Sequence, residues 1–316
     1  MCVVIVLGVP QLECVPNVSE GRRPQVITQL AEAAGSARGA LLLDVSSDPD
    51  HNRSVLTLAG EPGALHEALL AIYQVALAEI DLARHQGVHP RIGAVDVAPF
   101  VPLAGTSMEV AVAAALRLAP AVADRFGLPV YLYEEAAPRP DRRSLATIRR
   151  GGLEGLAARL AGDAGDTAWA PDFGPPRLHP TAGATVIGAR FFLIAFNALL
   201  DTRDVAIARA VARAVRQSGG GLPAVRAMGV YLTSRGRAQV SMNLVDYRQT
   251  PLLRALDRVR REAAALGTRV VESEVVGLIP QEAALEAARE ALQLPGLKPR
   301  QLLEECLRMT SSDPEE

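Results

Sequence analysis

The residues best suited to chemistry sit in one short run, His85-Gln86-Gly87-Val88-His89-Pro90-Arg91-Ile92-Gly93-Ala94-Val95-Asp96. The chain has five histidines (His51, His66, His85, His89 and His179), and two of them lie here, four apart and flanking a glycine. An imidazole titrates near neutral pH, so its proton moves in either direction, which suits general acid–base catalysis. Pro90 confines the backbone of the preceding residue to extended conformations and so helps aim the His89 ring. Arg91 adds a planar guanidinium able to grip a carboxylate through two hydrogen bonds. Histidines at a helix end also serve simply to complement the helix dipole. That bland role is the expectation for His85, placed in the last turn of a helix capped by Gly87. For His89, in the loop beyond, both roles stay open on the residues alone.

Other chemistries fit less well. Zinc held by His85 and His89 with Asp81 or Asp96 would need both rings on one helix face, and Gly87 with Pro90 breaks the helix between them. No metal is expected. There is no G-x-S-x-G elbow, and neither Cys14 nor Cys306 has a histidine nearby in sequence. Gly219-Gly220-Gly221 ends a helix where a phosphate loop would begin one. The polar clusters Asn17–Gly21 and Asp44–Arg53 follow short apolar strands, and taken singly they read as turns.

These residues need a scaffold, and the apolar periodicity supplies one. Leu12–Val15 reads as a strand and Pro24–Ala34 as a helix; Ala40–Val45 and Ser54–Ala59 read as strands joined by a polar turn over Ser46–Arg53. An amphipathic helix then runs from Pro62 to about Arg84, and Val95–Val101 is a strand. The order β-α-β-β-α-β is the split βαβ, or ferredoxin-like, signature. It recurs downstream: strand Phe191–Phe196, helix Asp204–Gln217, strands Val225–Leu232 and Ala238–Val245, helix Pro251–Leu266, strand Arg269–Val276. Between the halves come a helix over Thr106–Phe126, a strand at Val130–Tyr133 and helical pieces within Arg142–Ala161, split by Gly151-Gly152. The Pro- and Gly-rich stretch Trp169–Pro176 follows, which reads either as part of a binding cleft or as a plain linker. The expected fold is α+β, two ferredoxin-like lobes (1–190 with the histidine, and 191–316) forming a sandwich with a groove between them.

A chain of 316 residues exceeds the ~250–300 at which single cores stop growing, in keeping with two domains. Its 33 Lys and Arg against 35 Asp and Glu leave no basic footprint for nucleic acid. Three scattered cysteines point to a reducing compartment, the cytoplasm, and no apolar run suits a membrane span. Met1–Pro10, apolar but short, is expected to be a ragged first strand or an over-extended start.

Several blocks, in order along the chain, resemble the glutamate formimidoyltransferase family: Glu13–Gly21, Asp44–Val55, His85–Val97 with Pro99-Phe100-Val101-Pro102, Val130–Glu134, Pro171–Pro175, Gly183–Arg190, Phe192–Asn197 and Val276–Pro280. The resemblance implies transfer of a formimino group from N-formimino-L-glutamate to tetrahydrofolate, a co-substrate, in histidine degradation. It implies His89 as the catalytic histidine, being the second of H-x-G-x-H-P-R. It places folate against Gly174, Pro175, Pro176, Arg177, Leu178, His179, Pro180, Thr181, Ala182 and Gly183. Arg53, Arg91 and Arg190 are candidates for the glutamate carboxylates. A homodimer is implied, and a monofunctional form without a cyclodeaminase part, with no nucleic-acid or membrane partner.

The chain departs from the family where Ser46 stands for an acidic residue, Phe191 for a basic one and Ala182 for tryptophan. Either Asp44, Asp48 or Asp50 then substitutes for that acid, or the His89 pKa is set differently. Three alternatives remain: formyl transfer between 5-formyltetrahydrofolate and glutamate, a catalytically silent folate-binding paralogue, and a dimeric interaction module.

Overall fold

Proline and glycine set the first boundaries. In the computed structural model, which describes residues 9, 11–103, 105–161 and 169–310, Pro16 interrupts the first strand because it has no N–H for the ladder. The strand becomes β1 (Leu12–Cys14) and β2 (Asn17–Val18). Pro24 and Pro62 occupy the first turns of α1 (Pro24–Gly35) and α2 (Pro62–Glu79), where a missing N–H costs nothing. Between them β3 (Ala40–Asp48) and β4 (Arg53–Gly60) form a hairpin. There follow β5 (Val95–Pro102), α3 (Met108–Phe126), β6 (Val130–Glu134), the short α4 (Leu145–Ile148), α5 (Gly152–Leu160) and β7 (Thr185–Ala189).

The chain divides into two compact units, Met1–Phe192 and Leu193–Glu316. In the first, β1 and β2 lie between β4 and β5, antiparallel to both; β3 pairs with the far edge of β4, and β7 then β6 extend the sheet in parallel beyond β5. One face packs Leu12, Cys14, Leu56, Leu58 and Phe100 against apolar stripes of the helices, such as Leu30 of α1, Leu69 of α2 and Leu118 of α3. The opposite face carries a second cluster, Val97, Tyr131, Tyr133 and Val186, under Ile148 and Leu156 of α4 and α5. Strand register puts Glu13 opposite Val101 and Asn17 opposite both Val55 and Val97, so these polar side chains share that second face.

The second unit contains β8 (Ile194–Leu200), α6 (Val205–Val215), β9 (Val225–Leu232), β10 (Arg237–Leu244), α7 (Leu252–Ala265), β11 (Val270–Val276), α8 (Gln281–Ala291) and α9 (Leu303–Thr310). Its sheet is antiparallel throughout, in the order β11-β8-β10-β9. Asp204 caps α6 by accepting the Ala206 N–H at 2.8 Å. Among the described residues the architecture is mixed α+β with two sheets.

Four sequence expectations shift. The helix read to Arg84 stops at Glu79, because Ile80 turns extended (φ −106°, ψ 125°) and the Leu82 N–H bonds Thr181 O instead of a helical carbonyl. His85 is therefore not in a helix, and Gly87 caps none. The polar turn contracts to Pro49–Asn52, since β3 and β4 run on as paired strands to Asp48 and Arg53. The strand read at Phe191–Phe196 begins at Ile194 and ends at Leu200, paired along β10. The helix read from Thr106 starts at Met108. The Met1–Pro10 expectation falls outside the described residues, apart from Val9.

Candidate active site

The loop between α2 and β5 carries the H-x-G-x-H segment and is sewn to the tip of the β3–β4 hairpin. The Val88 N–H bonds Asp50 O at 3.1 Å, and Asn52 Nδ2 bonds Gln86 O at 2.9 Å. His85 Nε2 lies 2.8 Å from Asn52 O; a carbonyl only accepts, so this ring nitrogen donates. Gly87 is required by close approach: a Cβ there would stand 2.3 Å from His51 O. Asn52 takes the left-handed conformation (φ 47°) that Asn tolerates, and its Oδ1 accepts the Gly21 N–H at 3.0 Å. His85 thus shapes the loop, and Arg91 Nη2 fixes it further by donating to His85 O at 2.5 Å.

His89 projects from this loop beside a buried charge cluster. Its Nδ1 lies 2.8 Å from Pro90 O and 3.2 Å from Arg53 Nη1. The shorter contact is to a carbonyl, so we assign the proton to Nδ1, which leaves the lone pair on Nε2. Arg53 donates Nε and Nη2 to Asn17 Oδ1 (3.0 and 2.5 Å) and Nη1 to Asp96 Oδ2 (2.9 Å). Arg149 donates to the same Asp96 oxygen, and Asp96 Oδ1 accepts the Ile92 N–H at 2.8 Å. Strand register explains how Asp96 gets there. Asn17 faces Val97 while Val18 faces Val95, so β5 bulges at Asp96 and the carboxylate leaves the normal alternation.

The electrostatics follow from this packing. Burial, then the positive charges of Arg53 and Arg149, then His51, hold the His89 imidazole well below its usual range. The His51 ring lies 5.7 Å from it, centroid to centroid. These effects all favour the neutral imidazole over the imidazolium. Burial and the neighbouring Arg149 lower even Arg53, to about 10, against the opposing pull of Asp96. On the same sheet face Glu13 is pushed up to about 6 by burial, partly opposed by Arg190.

Residues 11–190 match the family described as "Formiminotransferase domain, N-terminal subdomain", and residues 195–297 match "Formiminotransferase domain". The chain belongs to the formiminotransferase domain family. It is 44% identical to the glutamate formimidoyltransferase of Thermoplasma acidophilum, over 93% of this chain and 96% of that protein. It is 42% identical to the glutamate formimidoyltransferase of Streptococcus pyogenes, over 90% of this chain and 93% of that protein. With the formimidoyltransferase-cyclodeaminase of Mus musculus it shares 43% identity over 88% of this chain, matching 51% of that longer protein.

Within this formiminotransferase-domain chain the expected site residues fare unequally. Arg53 is brought to His89, but its guanidinium is committed to Asn17 and Asp96. Arg91 is tied to His85 O, and Arg190 Nη1 donates to Phe191 O at 3.0 Å. In the segment 174–183, Gly174, Pro176, Arg177 and Pro180 are exposed, whereas Ala182 lies in the core and Leu178 packs on the second cluster. His179 Nδ1 accepts the Ala182 N–H at 3.0 Å and closes the turn. Gly183 (φ 69°) leaves no room for a side chain, since a Cβ would stand 2.2 Å from Ile92 O. Phe191 is exposed.

Sequence reasoning missed Asp96 as a partner, Arg149 and Asn17. Two of the acids proposed to orient His89 are placed otherwise: Asp48 Oδ1 accepts the Asp50 and His51 N–H groups at 2.8 and 2.7 Å, and Asp44 sits across the ladder from Thr57. The group set directly against His89 is a cation, Arg53, anchored by a buried acid. The Asp96 bulge has no local sequence signature, and Arg149 lies 53 residues further on.

Proposed function

We propose that the chain moves the formimino group of N-formimino-L-glutamate to N5 of tetrahydrofolate, giving 5-formiminotetrahydrofolate and L-glutamate, in histidine degradation. The observation that carries this reading is the placement of His89, with Nδ1 3.2 Å from Arg53 Nη1 and its ring 5.7 Å from that of His51, in a chain of this family. N5 attacks the formimino carbon to form a tetrahedral intermediate, and His89 Nε2 takes the N5 proton. The carbon–nitrogen bond to glutamate then breaks as the same proton passes to the departing amine. Neutral His89 serves the first transfer as base, and its imidazolium, poised to lose the proton among Arg53, Arg149 and His51, serves the second as acid. General acid–base help of this kind contributes ~10²–10⁴-fold, and holding two substrates together contributes more.

Further parts of the reading rest on family membership. Folate is proposed to lie against the segment from Gly174 to Gly183, where exposed Arg177 and half-buried His179 offer polar contacts. Arg91 and Arg190 are proposed for the glutamate carboxylates. Arg53, with Asn17 and Asp96 as partners, is better suited to setting the charge of His89. Two ferredoxin-like lobes, 1–190 and 191–316, are proposed, supported by β-α-β-β-α-β order in each unit; so are a groove between them, a cytoplasmic homodimer and chemistry without a metal. The test is a transfer assay with tetrahydrofolate and N-formimino-L-glutamate beside N-formyl-L-glutamate. The methenyl product after acid treatment is expected from the formimino donor. Product from the formyl donor alone would reassign the donor, and product from neither, in protein that binds folate, would overturn the activity.

A further inference from the structure

Among the described residues β11 ends the second sheet, with β8 on one side and no strand on the other. Its residues Val271, Glu272, Ser273, Glu274 and Val275 are all exposed, with Val271 at 41% and Val275 at 37%. An edge strand bearing exposed valines is a template for pairing, which proteins usually blunt with lysine, proline or outward charge. Here the strand has neither lysine nor proline. Its two carboxylates are engaged inside its own unit: Glu272 pairs with Arg235, and Glu274 Oε1 accepts from Asn197 Nδ2 at 2.9 Å and Gln239 Nε2 at 3.0 Å. The pairing to β8 shifts between Val270 and Glu272 and is regular from Glu272 to Val276.

The occupant is written in the strand itself. Val270-Val271-Glu272-Ser273-Glu274-Val275-Val276 reads identically in both directions, with Ser273 at its centre. A twofold interface must be self-complementary, residue i meeting j while j meets i. We propose that β11 pairs antiparallel with β11 of a second copy about a twofold axis at Ser273. Val270 then meets Val276 of the second copy, Val271 meets Val275, and Ser273 meets itself. The smallest slip that keeps facing side chains on one sheet face is two residues, and in either direction it sets a valine against a glutamate on each side of the axis. Glu272 meets Glu274 of the second copy, and Arg235 with the Asn197 and Gln239 amides supplies donors to that meeting. This names the surface of the two-copy assembly proposed above and rests on that part of the reading, independently of the catalytic part.

The test uses the full chain. Light scattering at micromolar concentration is expected to give twice the chain mass. Val275→Lys, at an exposed position, is expected to raise the dimer dissociation constant about 30-fold or more while the circular dichroism spectrum stays that of the parent. Ser273→Cys is expected to yield a disulfide-linked dimer on mild oxidation, because facing residues of an antiparallel pair bring their Cβ atoms close. The parent chain and Val275→Cys, whose thiol would face a valine, are expected not to. A monomeric parent overturns both the assembly and this surface. A dimer that survives Val275→Lys and in which Ser273→Cys does not cross-link overturns the surface alone.

Discussion

Asp96 and Arg53 are joined by one carboxylate oxygen, Oδ2 to Nη1 at 2.9 Å, with Asp96 wholly buried and Arg149 on the same oxygen. Two guanidiniums therefore depend on one acid. Asp96→Asn keeps the shape and removes the charge that the two largely buried arginines share. Breaking such a pair costs about 3–5 kcal/mol, and urea denaturation at neutral pH is expected to show a loss of that size. An unchanged midpoint would mean that solvent already neutralises the cluster.

His89→Gln keeps polarity and removes the base. Turnover is expected to fall ~10²–10⁴-fold, with folate affinity, measured by fluorescence titration, close to that of the parent. A variant with near-parental kcat would take the proton transfer away from His89.

The pH dependence has a definite sign. The folded His89 pKa lies below its ordinary 6.5, so the neutral base survives acidification and the acid limb of kcat/KM should fall below pH 6.5. Arg149→Met removes one of the charges responsible and is expected to move that limb upward, toward 6.5. For stability the unfolded chain binds the proton more readily. The contribution is thus fully present above 6.5 and is lost as pH falls through the folded value. Proton-detected titration of the ring resolves the shift directly.

How much of this was visible beforehand depends on the distance over which each feature is encoded. Strand β9, read as Val225–Leu232, is found with those bounds, because its apolar alternation and the flanking turns are local. The end of α2 was overrun because Ile80 and Leu82 continue the helical spacing of apolar residues, yet they are buried in extended and turn conformations. No glycine or proline marks the break. His89 was visible through its motif and through Pro90. Its electrostatic setting was not: Asn17, Arg53, Asp96 and Arg149 come from separate strands and from the segment after α4, and only the sheet register and the bulge assemble them. The Arg149-Arg150 pair before Gly151-Gly152 was the one available signal, and it reads equally as a solvated helix end.

Gly87 tests whether loop and hairpin act as one unit. A methyl group there would meet His51 O at 2.3 Å, so Gly87→Ala must push the His85–His89 loop off the hairpin tip. Overpacking of this kind costs about 1–3 kcal/mol, and kcat is expected to fall more than ~10-fold as His89 leaves its partners. Gly35→Ala, where a Cβ meets nothing within 4 Å, is the matched control and should leave kcat alone.

Glu13 offers an independent check on the buried face of the first sheet. Its folded pKa is raised to about 6 from 4.5, mainly by burial, so its carboxylate weighs against folding once ionised. The favourable state is fully present below the unfolded value and is lost as pH rises through about 6. The difference across that window amounts to about 2 kcal/mol. Glu13→Gln abolishes the titration, so the gap in stability between variant and parent should widen in favour of the variant by that amount from pH 4 to pH 8. Parallel stability curves for the two proteins would show that Arg190 already compensates the charge, and would make Arg190 less available for a substrate carboxylate.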